Sequence, residues 1–128
     1  MASVLHMPRV NFGGWNFRLL WNGKAMIEWN HREDADEDVS IYTPERAAEM
    51  LHLMAQEAAA ACSVYGYASD DVPRLDELKT YLLYAAAPWE MYHVIECINE
   101  ALAYGYQRDY RPEDNGMVDV DTIELKKN

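Results

Sequence analysis

The sequence predicts a small α+β domain, mainly α, in which an N-terminal β-hairpin is followed by about three packed helices and a short charged C-terminal tail. Thr43-Pro44-Glu45 precedes a long run of apolar residues at helical spacing, and a second such run follows Pro88. Asn22-Gly23 separates two segments that contain strand formers. We expect residues 16–111 of this 128-residue chain to form one domain, with an irregular arm at 1–15 and a tail at 112–128.

The hairpin is predicted from residues 16–21 and 24–29. Asn-Gly accepts the positive φ angles of a tight hairpin turn, and Phe17, Leu19 and Trp21 suit a strand. Ala25 and Met26 fit a helix about as well, so the second arm has an alternative. An acidic connector from His31 to Ser40 follows it.

The first long helix is expected to begin after Thr43. Thr is a good N-cap, Pro44 suits the first turn, and Glu45 lies near the positive end of the helix dipole. Gly66 is expected to end this helix. A second helix is predicted from about Arg74 to Ala86.

The third helix opens at Pro88 and carries the clearest amphipathic stripe in the sequence. Such a stripe either packs into the core or mediates self-association. The residues assigned to this role are Met91, Ile95, Ile98 and Leu102.

After a turn at 112–116, the tail alternates apolar and acidic residues over 118–122. This pattern fits an edge strand or a peptide that orders on binding. Asp119, Asp121 and Glu124 are its candidate partner contacts.

Composition restricts the function. Eleven basic and 22 acidic residues give a net charge of −11, which repels phosphate backbones and argues against nucleic-acid binding. We find no run long enough to span a bilayer and no secretory signal, so a cytoplasmic protein is expected. Cys62 and Cys97 fall on predicted helices and are interpreted as buried free thiols.

The segment from Asp34 to Glu45 partly matches a calcium-binding EF-hand loop. Asp34, Asp36, Asp38 and Glu45 occupy the first, third, fifth and twelfth positions. Val39, however, stands at the sixth position, where the loop needs glycine to turn sharply. No metal site is therefore expected, and these four residues are only weak candidates.

No other chemical motif is convincing. His93 and Cys97 lie one helical turn apart, but a zinc site needs two more ligands and a nucleophile pair needs an orienting group. Gly13-Gly14 lacks the spacing of a phosphate-binding loop. We expect no cofactor and no enzymatic activity. About half of the dense N-terminal aromatics are expected in the core and the others at a protein interface, with Trp15, Trp21 and Trp29 as the candidate contacts.

Three segments together resemble the tail assembly chaperones of long-tailed bacteriophages, in the form found in phages of Gram-positive hosts. Residues 17–29 are similar to that family's opening strand and its "alanine–aliphatic–glutamate" segment. Residues 47–61 and 95–105 are similar to its middle and closing helices. The ending Val118 to Asn128 resembles its "Val-Asp … Glu-Leu … Lys-Lys" ending. The resemblance covers about residues 17–128.

The resemblance implies a non-enzymatic role. Such chaperones coat the tape-measure protein, keep its long helices soluble, and help recruit tail-tube subunits. It also implies self-association, a host bacterial cytoplasmic location, and a longer form made by frameshifting. Two alternatives remain open: an acidic phage protein that inhibits a host enzyme, and a divalent-metal-binding adaptor module.

Overall fold

The computed structural model describes residues 3–32, 43–106 and 117–120, which form two small antiparallel sheets and four helices. In chain order the elements are β1 (Ser3–His6), β2 (Arg9–Phe12), β3 (Trp15–Arg18), α1 (Gly23–Asn30), α2 (Pro44–Val64), α3 (Leu75–Tyr84), α4 (Pro88–Tyr106) and β4 (Met117–Val120). The predicted fold class, an N-terminal hairpin followed by packed helices, is confirmed.

The hairpin consists of β2 and β3, and its turn is Gly13-Gly14. Phe12 pairs with Trp15, so the loop has two residues. Both glycines have positive φ, +56° and +85°, as a twist-matched hairpin turn requires. Only residues without a Cβ adopt such angles at little cost.

The predicted hairpin turn at Asn22-Gly23 is wrong. Asn22 is the N-cap of α1, and its side-chain oxygen accepts a hydrogen bond from the Ala25 N–H at 2.9 Å. Asparagine is as well suited to a helix N-cap as to a turn. Ala25 is fully buried in the core, so packing favours the helical alternative for this segment.

The expected irregular arm at residues 1–15 is also wrong where the structure describes it, because β1 and β2 lie there. β1 pairs antiparallel with β4, with Ser3 opposite Val120 and His6 opposite Met117. The tail therefore forms a strand at 117–120, one of the two alternatives that its alternating pattern allowed.

Helix α2 begins and ends as predicted. Thr43 Oγ1 accepts from the Arg46 N–H at 3.3 Å, and Pro44 is the first helical residue. At the other end, the Tyr67 N–H donates to the Cys62 carbonyl and the Gly66 N–H to the Ser63 carbonyl. This is the Schellman pattern, and Gly66 has the φ of +83° that it needs.

Helix α2 also forms the centre of the core, since it packs against α1, α3, α4 and β3. Its fully buried Leu51, Leu53 and Met54 share one cluster with Phe17 of the hairpin and Ile98 of α4. Within the described ranges, none of the helices is both long enough and apolar enough to cross a bilayer.

Candidate functional site

A surface rich in exposed apolar and aromatic side chains lies where α3 ends and α4 begins. Four large apolar or aromatic side chains are exposed within ten residues of sequence: Leu83 (40 %), Tyr84 (83 %), Trp89 (66 %) and Tyr92 (71 %). We call these four residues the aromatic surface. Clustered exposed aromatics mark protein-binding sites, since Trp and Tyr supply much of the binding energy at interfaces.

Two clefts flank the hairpin turn beside this surface, and Gly13 lines both. The larger, of about 600 Å³, lies between the turn and α3, and we call it the Tyr81 cleft. Its aromatic lining consists of Trp15, Tyr81 and Tyr84. The smaller cleft, of about 450 Å³, lies between the turn and α4 and includes Trp89.

The carboxylate of Glu90 fixes the geometry of both clefts. It accepts hydrogen bonds from the Tyr81 hydroxyl at 2.9 Å, the Ala87 N–H at 3.0 Å and the Gly13 N–H at 3.2 Å. These donors belong to α3, to the residue before α4 and to the hairpin turn. One buried carboxylate therefore joins the start of α4 to α3, its neighbour in sequence, and to the hairpin turn, which is 77 residues away.

The hydrogen bonds also determine the charge states. The Ala87 N–H, aided by Tyr81 and Gly13, lowers the pKa of Glu90 although burial opposes this. The hydrogen bond to Glu90 is the main reason why the pKa of Tyr81 is raised. At neutral pH the pair is thus a carboxylate that accepts and a phenol that donates.

Gly13 is required by contact as well as by backbone angle. A Cβ at this position would lie 2.9 Å from Tyr81 Cζ, which is closer than carbon atoms pack. The Tyr81 ring in turn contacts Trp15 edge-on, with ring centroids 5.5 Å apart. The turn and the cleft wall are therefore one packed unit.

The three predicted tryptophan contacts lie in different environments. Trp21 is only 5 % exposed and belongs to the core, so its assignment to an exposed interface is wrong: the indole packs against the end of α4 at Gly105. Trp15 is half-buried and lines the Tyr81 cleft. Trp29 is half-buried, with two arginine guanidinium groups each 4.9 Å from its ring centroid.

The stripe on α4 faces inward. Ile98 is fully buried, while Met91 and Leu102 are partly buried and pack against the core cluster. Ile95 is partly buried as well. The core alternative therefore accounts for these residues in the single chain.

Most of the charged candidates fall outside the described residues, namely Asp34, Asp36, Asp38, Asp121 and Glu124. Glu45 is exposed in the first turn of α2. Asp119 lies in β4, opposite Val4 of β1. In the described ranges, no group of three or more His, Cys, Asp or Glu side chains is arranged to hold a metal ion.

The two cysteines are free and buried, as predicted. His93 lies beside Cys97, with Nε2 3.8 Å from Sγ, and its Nε2 accepts from the Asn11 N–H at 3.2 Å. Burial, together with Glu100 and Glu96, raises the pKa of the Cys97 thiol to about 11. The thiol is therefore protonated at neutral pH, the opposite of what a cysteine nucleophile needs.

The aromatic surface was missed by the sequence prediction, although a signal for part of it exists. On α4 the apolar stripe runs through Met91, Val94 and Ile98. Trp89 lies two residues before Met91 and Tyr92 one residue after it. At helical spacing, neither position falls on the same face as the stripe. Large aromatics off the buried stripe are the ones expected at a surface.

Comparisons with known proteins leave the family open. No family model matches the sequence, and no curated protein or solved structure is significantly similar to it.

Proposed function

We propose that this protein is a non-enzymatic binding protein, a phage tail assembly chaperone that holds the tape-measure protein through the aromatic surface. The observation that carries the proposal is the exposure of Tyr84, Trp89 and Tyr92 at one corner of the fold. Exposing these rings to water is unfavourable, and a partner's apolar residues would remove that cost.

The tape-measure protein suits this surface because its long helices carry apolar stripes that need cover before the tail tube forms. The resemblance over residues 17–128 supports this choice of partner. The segments similar to the family's middle and closing helices, residues 47–61 and 95–105, lie in α2 and α4. In this role the protein acts in the host bacterial cytoplasm, self-associates along its client, and assists the tail-tube protein without a cofactor.

The acidic-inhibitor alternative draws support from one further observation. The net charge is −11, and Asp76 and Glu77 line the Tyr81 cleft beside the aromatic surface. Such a surface also suits a basic enzyme of the host, whose binding would weaken steeply with salt.

Co-expression of this chain with its native neighbouring genes, among whose products we expect the tape-measure protein, tests the proposal. We expect the wild-type chain to keep that protein soluble and to co-elute with it. The double variant Tyr84→Ser/Trp89→Ser should lose both effects. Its matched control is Ile27→Ser/Val64→Ser, which alters two exposed apolar residues on α1 and α2 and should behave as wild type.

Circular dichroism spectra of both double variants would establish that they fold. Equal loss of co-elution in both, or tape-measure solubility that does not depend on this chain, would overturn the proposal. Recovery of a basic host enzyme in place of the tape-measure protein would favour the inhibitor.

A further inference from the structure

The Tyr81 cleft has an aromatic and an acidic side. Trp15, Tyr81 and Tyr84 supply rings, and Asp76 and Glu77 supply carboxylates. On α3 these positions follow helical spacing, with Glu77, Tyr81 and Tyr84 separated by four and three residues, so they share one face. The Tyr81 hydroxyl already donates to Glu90, which fixes the orientation of its ring.

Among the described residues, one of the two carboxylates has no ion-pair partner. Asp76 forms an exposed ion pair with Arg74 at 2.6 Å. The Glu77 carboxylate, by contrast, has no ion pair with any residue in the described ranges, and no Lys or Arg lines the cleft. The cleft therefore presents uncompensated negative charge beside aromatic rings.

From this combination we propose that the Tyr81 cleft binds an arginine or lysine side chain presented by an amphipathic helix of the protein partner. The ring faces attract a cation through their quadrupole, and Glu77 supplies the counter-charge. Apolar residues one turn away on the partner helix pack on Tyr84 and the rest of the aromatic surface. The inference rests on the proposed binding function and specifies what that surface recognises.

Charge complementarity favours this occupant over others. With a net charge of −11, the protein repels acidic peptides and phosphate-bearing ligands at long range. The cleft, of about 600 Å³ and open to solvent, has room for a long side chain to lie along its aromatic wall.

Two synthetic peptides test the inference on the full-length protein. One is a short amphipathic helix with leucines and arginines on its binding face, and its twin carries glutamine at every arginine. We expect the arginine peptide to bind about tenfold more tightly than the twin, as measured by tryptophan fluorescence and calorimetry.

The variants Glu77→Gln and Glu45→Gln distinguish recognition by the cleft from attraction by the overall negative charge of the protein. Both carboxylates lie in the first turn of a helix, but only Glu77 lines the cleft. Glu77→Gln and Tyr84→Ser should each weaken the arginine peptide about fivefold, whereas Glu45→Gln should leave it unchanged.

Each other outcome has a definite meaning. Equal binding of the two peptides, or equal weakening by Glu77→Gln and Glu45→Gln, would refute cation recognition and leave the aromatic surface intact as a binding site. Failure of both peptides would also refute it, even if the tape-measure protein still co-elutes. The proposed function would be refuted only by the outcomes of the co-expression experiment described above, and these do not depend on either peptide.

Discussion

Replacing Gly105 with alanine tests how closely the end of α4 approaches the segment before α1. A Cβ at residue 105 would lie 2.6 Å from the Trp21 carbonyl oxygen and 2.7 Å from Trp21 Cδ1. The oxygen is a backbone atom, so no side-chain rotation relieves the contact. Either α4 or residue 21 must move away, and the Trp21 indole is in the core.

The expected cost follows from two opposing effects. Overpacking of this kind costs about 1–3 kcal/mol in a well-packed interior. Alanine recovers up to about 1 kcal/mol, because glycine is the poorer helix former. We therefore expect Gly105→Ala to lower the free energy of unfolding by about 1–2 kcal/mol. For a chain of this length that is a fall in Tm of roughly 4–8 °C.

Gly23→Ala is the matched control. Gly23 is the first residue of α1, and a Cβ there would meet no atom within 4 Å. The same chemical change should leave the stability unchanged or raise it by up to about 1 kcal/mol. Urea denaturation followed by far-ultraviolet circular dichroism would measure both variants, and equal m-values would show that only stability has changed.

A result in which both variants match the wild type would refute the reasoning. It would mean that α4 does not approach Trp21 as described, or that its last turn moves away without cost. Near-ultraviolet circular dichroism distinguishes these cases, because displacement of the Trp21 indole changes the aromatic signal.

Three further predictions follow from local contacts. Asn22→Ala removes the α1 cap and the hydrogen bond to buried Glu57, and should cost about 1 kcal/mol or more, whereas Asn22→Ser keeps a cap and should cost less. Burial, aided by Arg32, lowers the pKa of His52, so the unfolded chain takes up a proton at a higher pH than the folded protein does. The free energy of unfolding should therefore fall as the pH drops below about 6.5. His52→Gln should remove this contribution to the pH dependence of stability. The Cys97 thiol, with its pKa raised to about 11, should resist alkylation at about pH 8 until the protein is unfolded.

Each of these has its opposite outcome. An Asn22→Ser variant as unstable as Asn22→Ala would show that the loss of stability does not come from the lost helix cap. A pH slope unchanged by His52→Gln would assign the titration to another group. Rapid alkylation of Cys97 in the folded protein would show that the thiol is more accessible than its burial indicates.

The sequence predicted the helices better than the strands because helix ends carry chemical signals. Thr43, Pro44 and Gly66 each have a defined role at a helix terminus, and all three occupy it. Asn22-Gly23 is ambiguous, since the same side-chain oxygen that suits a tight turn also caps a helix. Tertiary burial of Ala25 decides between them, and a local pattern does not contain that information.

The candidate site was harder to foresee. The density of aromatic residues led to Trp21 being predicted as an interface contact, but its indole is buried in the core. Composition does not show which rings are buried. Tyr84 follows two leucines at the end of α3. Three successive residues of one helix cannot all point towards the protein core, so at least one of these large side chains must lie at the surface. The Glu90 network was beyond prediction, since its donors come from residues 13, 81 and 87 and meet only in the folded chain.

The Tyr81 cleft joins Trp15 of the hairpin to Tyr84 of α3, so it disappears when the chain unfolds. Any molecule that fills it binds the native state alone, and thereby raises the melting temperature by mass action. Saturation at about a hundred times the Kd is worth roughly 2.7 kcal/mol, or about 10 °C for a chain of this size. A library of peptides can therefore be screened by thermal shift before any natural client is known.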